Sequence, residues 1–330
     1  MPKRDTKPKP TVAAPATPAR STLALRPAPA GHPSLHTYLR SFDIEVPSVA
    51  SRVVPGGPNT RSRHEYRYTD IKRDALQPWA EFSRSACLAR FADALHATRV
   101  AEQPAYVSPQ KGIASKEFAC EAEVADFLRR SLTLHLNRAL AAAPGCELQD
   151  CGGANVGCSA DRVGIVFPAR EIRLVGDVKV SWKWRSEWRD APRSSTQNLE
   201  YRQVLSQLNY YMNRDNCRWG YVVTDREFVA LQRGPEFGAL KVAEAVRLEG
   251  GDRDWGVALA AWHLHMMAAL DGGEWSLPKS TKAGRGALTR STVAGINEVT
   301  KEEKEVQVQE AAVPRRRSPR LAAKAAAEGV

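Results

Sequence analysis

The sequence lacks the signals for export or membrane insertion that secreted and integral membrane proteins carry. No charged-then-apolar segment follows Met1, where the chain is rich in Pro and Lys instead. The longest apolar stretch, residues 256–270, is interrupted by two histidines and is shorter than the ~20 residues that a bilayer-spanning helix needs. We therefore expect a soluble protein that is not secreted, has no membrane partner and resides in the nucleus or the cytoplasm.

Paired cysteine motifs are also absent. The chain has six cysteines but no C-x-x-C pair, and without an export signal the thiols are expected to be reduced. Cys146, Cys151 and Cys158 are close in sequence, but their spacing matches no compact zinc site and no histidine lies near them. We expect these three residues to be small, half-buried members of a hairpin.

Excess positive charge is nearly absent from the middle of the chain, although the net charge is +11. Residues 1–30 carry six Lys or Arg against one acid, and residues 279–330 carry eleven against six. The remaining residues hold a charge of only +1. Basic tails can bind nucleic acid through phosphate contacts, but solvated disordered ends have the same composition, and both interpretations stay open.

Composition and periodicity divide the chain into four regions. The first 33 residues are Pro-rich and cannot bury enough apolar surface to fold, and the last region mixes charges in the same way. We predict a disordered basic arm, a helical N-terminal extension, an α/β core and a disordered basic tail, at residues 1–33, 34–114, 115–278 and 279–330. Helices are predicted in the extension and at the start of the core, at residues 34–44, 71–97 with a break at Pro78, and 115–140 with Ser115 as cap.

After Gly145 the apolar period changes from helical to strand-like. Two segments separated by a short turn predict a hairpin, at residues 155–167 and 171–184. A helix over 199–214, strands over 219–225, 227–233 and 240–248, and a buried helix over 255–270 follow. This order of elements predicts one α/β domain.

The second hairpin strand carries the clearest chemical signal. Strand alternation places Asp177 and Lys179 side by side on one face, while Trp182 and Trp184 fall on the other, apolar face with Val178. Asp161 on the preceding strand can supply a second carboxylate, and one or two carboxylates with water and substrate phosphate are enough to hold Mg²⁺. Taken alone, the pair also fits an ordinary exposed ion pair on an edge strand.

The ordered segments 160-ADRV, 175-VGDVKVSWKW-184, 201-YRQVLSQLNYYM-212 and 218-RWGYVVTDREFVALQR-233 resemble fungal members of the PD-(D/E)xK nuclease-like superfamily. The resemblance covers residues 115–270 and implies a restriction-endonuclease-like core, a central mixed sheet flanked by helices. It also implies a Mg²⁺- or Mn²⁺-dependent phosphodiesterase acting on DNA or RNA.

Site residues follow from that resemblance. Asp161 corresponds to the first acid of the motif, although Ala160 stands where the family usually has proline. Asp177 and Lys179 correspond to the second half of the motif. Glu121 corresponds to the helix glutamate, with Glu117 one turn earlier as the alternative. The resemblance thus implies metal ligation by Asp161, Asp177 and Glu121, and positioning of the attacking water by Lys179.

Substrate-binding candidates lie on the next helix and after the second hairpin strand. Gln203, Gln207 and Tyr211 recur every four residues and share one helical face. The resemblance implies that Gln207 and Tyr211 contact substrate phosphate or orient a ligand; alternatively, Tyr211 belongs to the core and Gln207 forms a hydrogen bond at the sheet edge. Lys183 and Arg185 remain available to bind phosphates.

Two further hypotheses stay open. The chain can be a catalytically inactive nuclease-fold protein that acts as a nucleic-acid-binding or scaffold module, because a fold does not establish a chemistry. The segment 314-PRRRSPRLAAK-324 resembles a basic nuclear import signal, in which Ser318 is a candidate phosphorylation site.

Overall fold

The computed structural model describes residues 31–49, 59, 65–101, 117–249, 253–270 and 272–281. The predicted arm, the predicted tail and the Ser115 cap lie outside these ranges, apart from residues 31–33 and 279–281. The predicted import signal also lies outside them.

The described residues of the N-terminal extension include two α-helices and one strand. Helix α1 (Leu35–Arg40) is capped by the Ser34 side chain, and helix α2 (Arg84–Ala97) by that of Ser83. The helix predicted to begin at residue 71 is wrong over its first half, because strand β1 (Leu76–Pro78) lies there. Proline has no backbone N–H to donate, so within sheets it is tolerated mainly on edge strands. Strand β1 is such an edge strand.

The core begins with an interrupted helix. Helix α3 (Glu121–Leu128) continues through the π-helical turn Arg129–Thr133 into helix α4 (Leu134–Ala142). The N-cap of α3 is Cys120, so the predicted helical start at residue 115 is wrong and Glu117 lies before the helix.

In the described part of the chain, eight strands form one mixed sheet. The strands after β1 are β2 (Leu148–Gly152), β3 (Arg162–Val166), β4 (Glu171–Val178), β5 (Trp219–Val223), β6 (Glu227–Arg233), β7 (Leu240–Val242) and β8 (Val246–Arg247). Their order is β1-β7-β6-β5-β4-β3-β2, with β8 paired to β6. The β3–β4 pair is the predicted hairpin, and its strands are antiparallel.

Two strand pairs in the sheet are parallel. Strands β4 and β5 run parallel and are connected by helix α5 (Thr196–Arg214), which is the helix predicted over 199–214. Strands β1 and β7 form the other parallel pair. The remaining pairs are antiparallel, so the sheet is mixed as predicted.

Helices cover both faces of the sheet. The first layer packs α1 to α4 and helix α6 (Val257–Ala269) against one face. The second layer packs α5 against the other. Nearly every residue of α6 is buried, as its almost uniformly apolar sequence predicts. A central mixed sheet flanked by helices is therefore the architecture of this protein.

The end of β4 differs from the prediction. The strand stops at Val178, and the chain then turns, with the backbone N–H groups of Lys183 and Trp184 both donating to Val180 O. Trp184 is buried against Tyr201 in the α5 layer, whereas Val178 and Val180 belong to the opposite layer. Placing Trp184 on the face of Val178 is therefore wrong, although its burial is confirmed.

Candidate active site

The candidate site forms where β4 ends. Asp177 is the penultimate residue of β4, and the N–H of Lys179 donates to Val223 O of β5 at 2.9 Å, which continues the parallel pairing. Asp161 immediately precedes β3, and Glu121 is the first residue of α3. The sheet and the start of one helix therefore converge at a single point.

The ammonium of Lys179 lies within ion-pair distance of all three predicted acids. Its Nζ is 2.9 Å from Asp177 Oδ2, 3.5 Å from Glu121 Oε1 and 3.9 Å from Asp161 Oδ2. It also donates a hydrogen bond to Val178 O at 3.0 Å. The structure thus brings together the four residues that the sequence analysis placed in the catalytic centre.

Burial divides these four residues into two pairs. The side chains of Asp177 and Lys179 are 1% and 6% exposed, whereas those of Glu121 and Asp161 are 36% and 42% exposed. The site is therefore a buried ion pair with two carboxylates between it and solvent. A ligand arriving from solvent meets Glu121 and Asp161 first.

Asp161 is held in place by the neighbouring strand. Its Oδ2 accepts a hydrogen bond from Val178 N at 2.9 Å, and its backbone oxygen accepts one from Gly153 N at 3.0 Å. Ala160, at the position of the family's proline, is buried in the α5 layer. These contacts fix the carboxylate beside β4 without a proline.

The buried pair has shifted proton affinities. Burial raises the pKa of Asp177 well above its ordinary value, with Lys179 opposing the shift and Asp161 adding to it. Burial alone would lower the pKa of Lys179, but the charges of Asp177, Glu121 and Asp161 outweigh it, and the pKa is raised. Lys179 therefore stays protonated at neutral pH, and its cation is the fixed charge of the site.

Neither carboxylate oxygen of Asp177 has a hydrogen-bond partner. Oδ2 lies at ion-pair distance from Lys179 without hydrogen-bond geometry. Unsatisfied oxygens of a buried carboxylate destabilise a fold, and such atoms are concentrated at functional sites. Within the described ranges, no group of three or more His, Cys, Asp or Glu side chains is arranged to hold a metal ion.

The three helix residues predicted to bind substrate differ in their surroundings. Gln203 is buried, and its Oε1 accepts from Tyr68 N at 2.9 Å, so it holds the 3₁₀ turn Tyr68–Asp70 against α5. Gln207 Nε2 donates to Tyr211 Oη at 3.1 Å. Burial raises the pKa of Tyr211 to about 12; the Gln207 hydrogen bond opposes this shift, and the Asp177 charge contributes to it. The charge of Asp177 therefore acts on Tyr211, whose hydroxyl is bonded to Gln207.

Lys183 and Arg185 lie beyond the turn that ends β4. Arg185 Nε donates to Ser181 O at 2.9 Å, and its Nη1 lies 3.2 Å from Glu187 Oε1. Lys183 is half-buried, and its backbone oxygen accepts from Asn59 Nδ2 at 3.1 Å. Arg185 thus already has acceptors within the fold, which makes it a weaker phosphate ligand than the sequence alone suggests.

Sequence reasoning missed the residue that holds the turn after Lys179. Both the N–H and the hydroxyl of Ser181 donate to the carboxylate of Asp225, each at 2.6 Å. Asp225 lies two residues beyond the end of β5, is buried, and comes close to Ser181 because β4 and β5 are paired in parallel. Only a prediction of that long-range pairing could have identified it.

Comparison of the chain with family models, with curated proteins and with solved structures found no match. In the ranges that the structure describes, each helix is too short or too polar to span a bilayer.

Proposed function

We propose that this protein is a Mg²⁺- or Mn²⁺-dependent phosphodiesterase that hydrolyses DNA or RNA on a restriction-endonuclease-like core. The observation that carries the proposal is the convergence of Glu121, Asp161 and Asp177 within 4 Å of the Lys179 ammonium. Carboxylates of this kind hold a hard cation, and a fixed ammonium offsets charge that develops on a phosphoryl group.

The residues fit a cation on two grounds. The oxygens of Asp177 are buried without hydrogen-bond partners, and Asp161 brings a second, half-exposed carboxylate to the same ammonium. Because Mg²⁺ keeps several waters and uses one or two carboxylates plus substrate phosphate, Asp177 and Asp161 suffice, and Glu121 can support them. A bound cation would polarise the phosphoryl group and lower the pKa of a water.

The protein's own groups have distinct roles in this proposal. Lys179 holds its proton at Nζ and can donate a hydrogen bond to the attacking water or to a phosphate oxygen, but it cannot be the base. Asp161 and Glu121 face solvent, where they can orient water. Gln207 and Tyr211 can donate to substrate phosphate, and Lys183 can contribute a positive charge.

The test is cleavage of labelled single-stranded DNA, double-stranded DNA and RNA by the full chain, with Mg²⁺ or Mn²⁺ and with chelator. We expect metal-dependent cleavage that Asp177→Ala and Lys179→Ala each reduce by about 10²–10³-fold. Arg233→Lys, at the opposite end of the sheet, serves as the control and should retain activity. Full metal-dependent cleavage by both alanine variants would refute the assignment.

A catalytically inactive binding module is the second candidate. It is favoured by the absence, in the described residues, of a ready-made group of three metal ligands. Saturable nucleic-acid binding by the wild-type chain without metal affinity would support this candidate over the first.

A further inference from the structure

A cluster of buried polar side chains lies on the sheet face that α6 covers, opposite the face to which Asp177 belongs. Its centre is Asp150, 3% exposed, whose carboxylate accepts from Arg162, from Thr133 Oγ1 at 3.1 Å and from Tyr221 Oη at 3.1 Å. Arg162 Nη2 also donates to Thr133 Oγ1 at 2.8 Å, and His265 Nε2 lies 3.6 Å from Asp150 Oδ1. We call these five residues the Asp150 network.

The network forms because one position in β4 has no side chain. Arg162 of β3 pairs with Gly176 of β4, which pairs with Tyr221 of β5. A Cβ at Gly176 would lie 2.3 Å from Tyr221 Cζ. Glycine therefore lets the tyrosine ring lie across β4, where its hydroxyl reaches the carboxylate of Asp150.

This row of residues is directly adjacent to the candidate site. Asp161 precedes Arg162 and Asp177 follows Gly176, and because β3 and β4 are antiparallel, continuing the register places Asp161 opposite Asp177. Successive side chains of a strand point to opposite faces. The two rows are therefore neighbours on the same strands, with the Asp150 network on one face of the sheet and the side chains of Asp161 and Asp177 on the other.

The charges of the network hold Arg162 in a fixed position. Burial alone would raise the pKa of Asp150, but Arg162 and His265 outweigh it and lower the pKa to about 2. Asp150 therefore remains ionised at neutral pH. A buried guanidinium paired in this way has a fixed position, because displacing it leaves a charge uncompensated.

We propose that Arg162 is a positioning residue for Asp161: held by Asp150 and Thr133, it fixes the row in which Asp161 faces Asp177. This inference rests on the proposed function for its catalytic meaning, but its structural content can be measured without metal or substrate. The contact to observe is the hydrogen bond from Val178 N to Asp161 Oδ2.

The test compares Arg162→Lys with Arg233→Lys in the full, metal-free chain. Both change a buried guanidinium to an ammonium, but Arg233 donates to Cys217 O and Asn213 Oδ1 at the other end of the sheet. Amide hydrogen exchange of Val178, followed by NMR, should be at least about tenfold faster in Arg162→Lys and change less than about twofold in Arg233→Lys. An Asp161→Ala variant gives the Val178 exchange rate expected when the hydrogen bond to Asp161 is absent.

If Arg162→Lys fails to fold, the same exchange measurement is made on Tyr221→Phe, which perturbs the network less. It removes one donor to Asp150 and keeps the ring over Gly176. Its control is Tyr201→Phe, because Tyr201 is equally buried and its hydroxyl has no hydrogen-bond partner. Val178 exchange should accelerate only in the Tyr221 variant.

A second readout separates this inference from the proposed function. Calorimetric Mn²⁺ affinity should fall at least about tenfold in Arg162→Lys and stay unchanged in Arg233→Lys, a difference that a general loss of stability does not produce. Equal Val178 exchange in the two lysine variants would overturn the positioning role, whatever the metal affinity. Wild-type protein that binds no Mn²⁺, with or without a DNA oligonucleotide, but shows the exchange difference would overturn the proposed function and uphold the positioning role.

Discussion

Replacing Asp177 by asparagine should stabilise the protein while removing its activity. The variant keeps the shape of the side chain but removes a charge whose two oxygens are buried without hydrogen-bond partners. Burial and the Asp161 charge raise the pKa of Asp177, so its ionised form is disfavoured in the fold despite Lys179. We expect the free energy of unfolding at pH 7 to rise by about 1–2 kcal/mol, the size of gain that a single stabilising substitution commonly gives at the expense of function.

Asp150→Asn is the matched control, because Asp150 is equally buried but its environment favours the charge. Removing that charge leaves Arg162 without its carboxylate, which should cost about 3 kcal/mol at pH 7. Two substitutions of buried aspartate by asparagine are therefore predicted to change stability in opposite directions.

The pH dependence gives each aspartate a distinct signature. Because the pKa of Asp177 is higher in the folded state, wild-type stability falls as pH rises from about 3.9, the unfolded value, through the folded value. The gain in Asp177→Asn should grow over that window. Because the pKa of Asp150 is lowered to about 2, its stabilisation is complete above about pH 4 and is lost as pH falls from about 4 through about 2.

The assay is urea unfolding of both variants and wild type between pH 3 and 8, paired with the nuclease assay. A loss of more than about 1 kcal/mol in Asp177→Asn at pH 7 would refute the reasoning, since it would mean that the Lys179 ion pair outweighs the cost of burial. A stabilised variant with undiminished metal-dependent cleavage would refute the catalytic role of Asp177.

Further predictions concern the sheet, the ammonium and the neighbouring helix. Gly176→Ala should lower the free energy of unfolding by about 2–3 kcal/mol in urea titrations, because its Cβ meets the Tyr221 ring. The control is Gly272→Ala, whose Cβ lies in open space and which should change stability by less than about 0.5 kcal/mol. Equal effects of the two variants would contradict the packing argument. Lys179→Met should lower stability by about 3 kcal/mol at pH 7, because it removes the cation that Glu121, Asp161 and Asp177 share, and the loss should shrink toward pH 4; a loss independent of pH would contradict this origin. Tyr211→Phe should raise KM for the nucleic acid about tenfold, because it removes the hydroxyl that would contact the substrate, and the melting temperature should stay nearly unchanged. A lower melting temperature with an unchanged KM would instead assign Tyr211 to the core.

Much of the fold around the site follows from local sequence patterns. Apolar alternation identified the β3–β4 hairpin, and helical spacing identified α5 and α6. In each case the positions of the apolar residues along the segment show which faces of the element are buried. The same alternation placed Asp177 and Lys179 on one face. Their meeting with Asp161 requires only the antiparallel register of a short hairpin.

The errors arose where distant contacts decide the local structure. Strand β1 forms because residues 76–78 pair with β7, more than 160 positions further along the chain, which no local period records. Strand β4 ends at Val178 because Ser181 is drawn to Asp225 across the parallel pair, and this turn carries Trp184 to the opposite layer. Strand alternation therefore predicts the wrong side-chain faces beyond Val178.

The Asp150 network could not have been predicted for the same reason. Its hydrogen bonds join residues 12 to 71 positions apart, from a π-helical turn and three strands. A buried aspartate and arginine in a strand-like sequence are indistinguishable from exposed residues until the register is known. Glycine at position 176 was a signal of close approach, but the sequence did not reveal what approaches it.

The central claim is a carboxylate site for a divalent cation, and calorimetric titration of Mn²⁺ tests it most directly. The titration should use the full chain and its Asp177→Asn variant, each with and without a DNA oligonucleotide that supplies phosphate oxygens. We predict saturable binding to wild type, tighter with the oligonucleotide, that Asp177→Asn weakens by at least about 100-fold. Absence of binding to folded wild-type protein under both conditions would contradict the account.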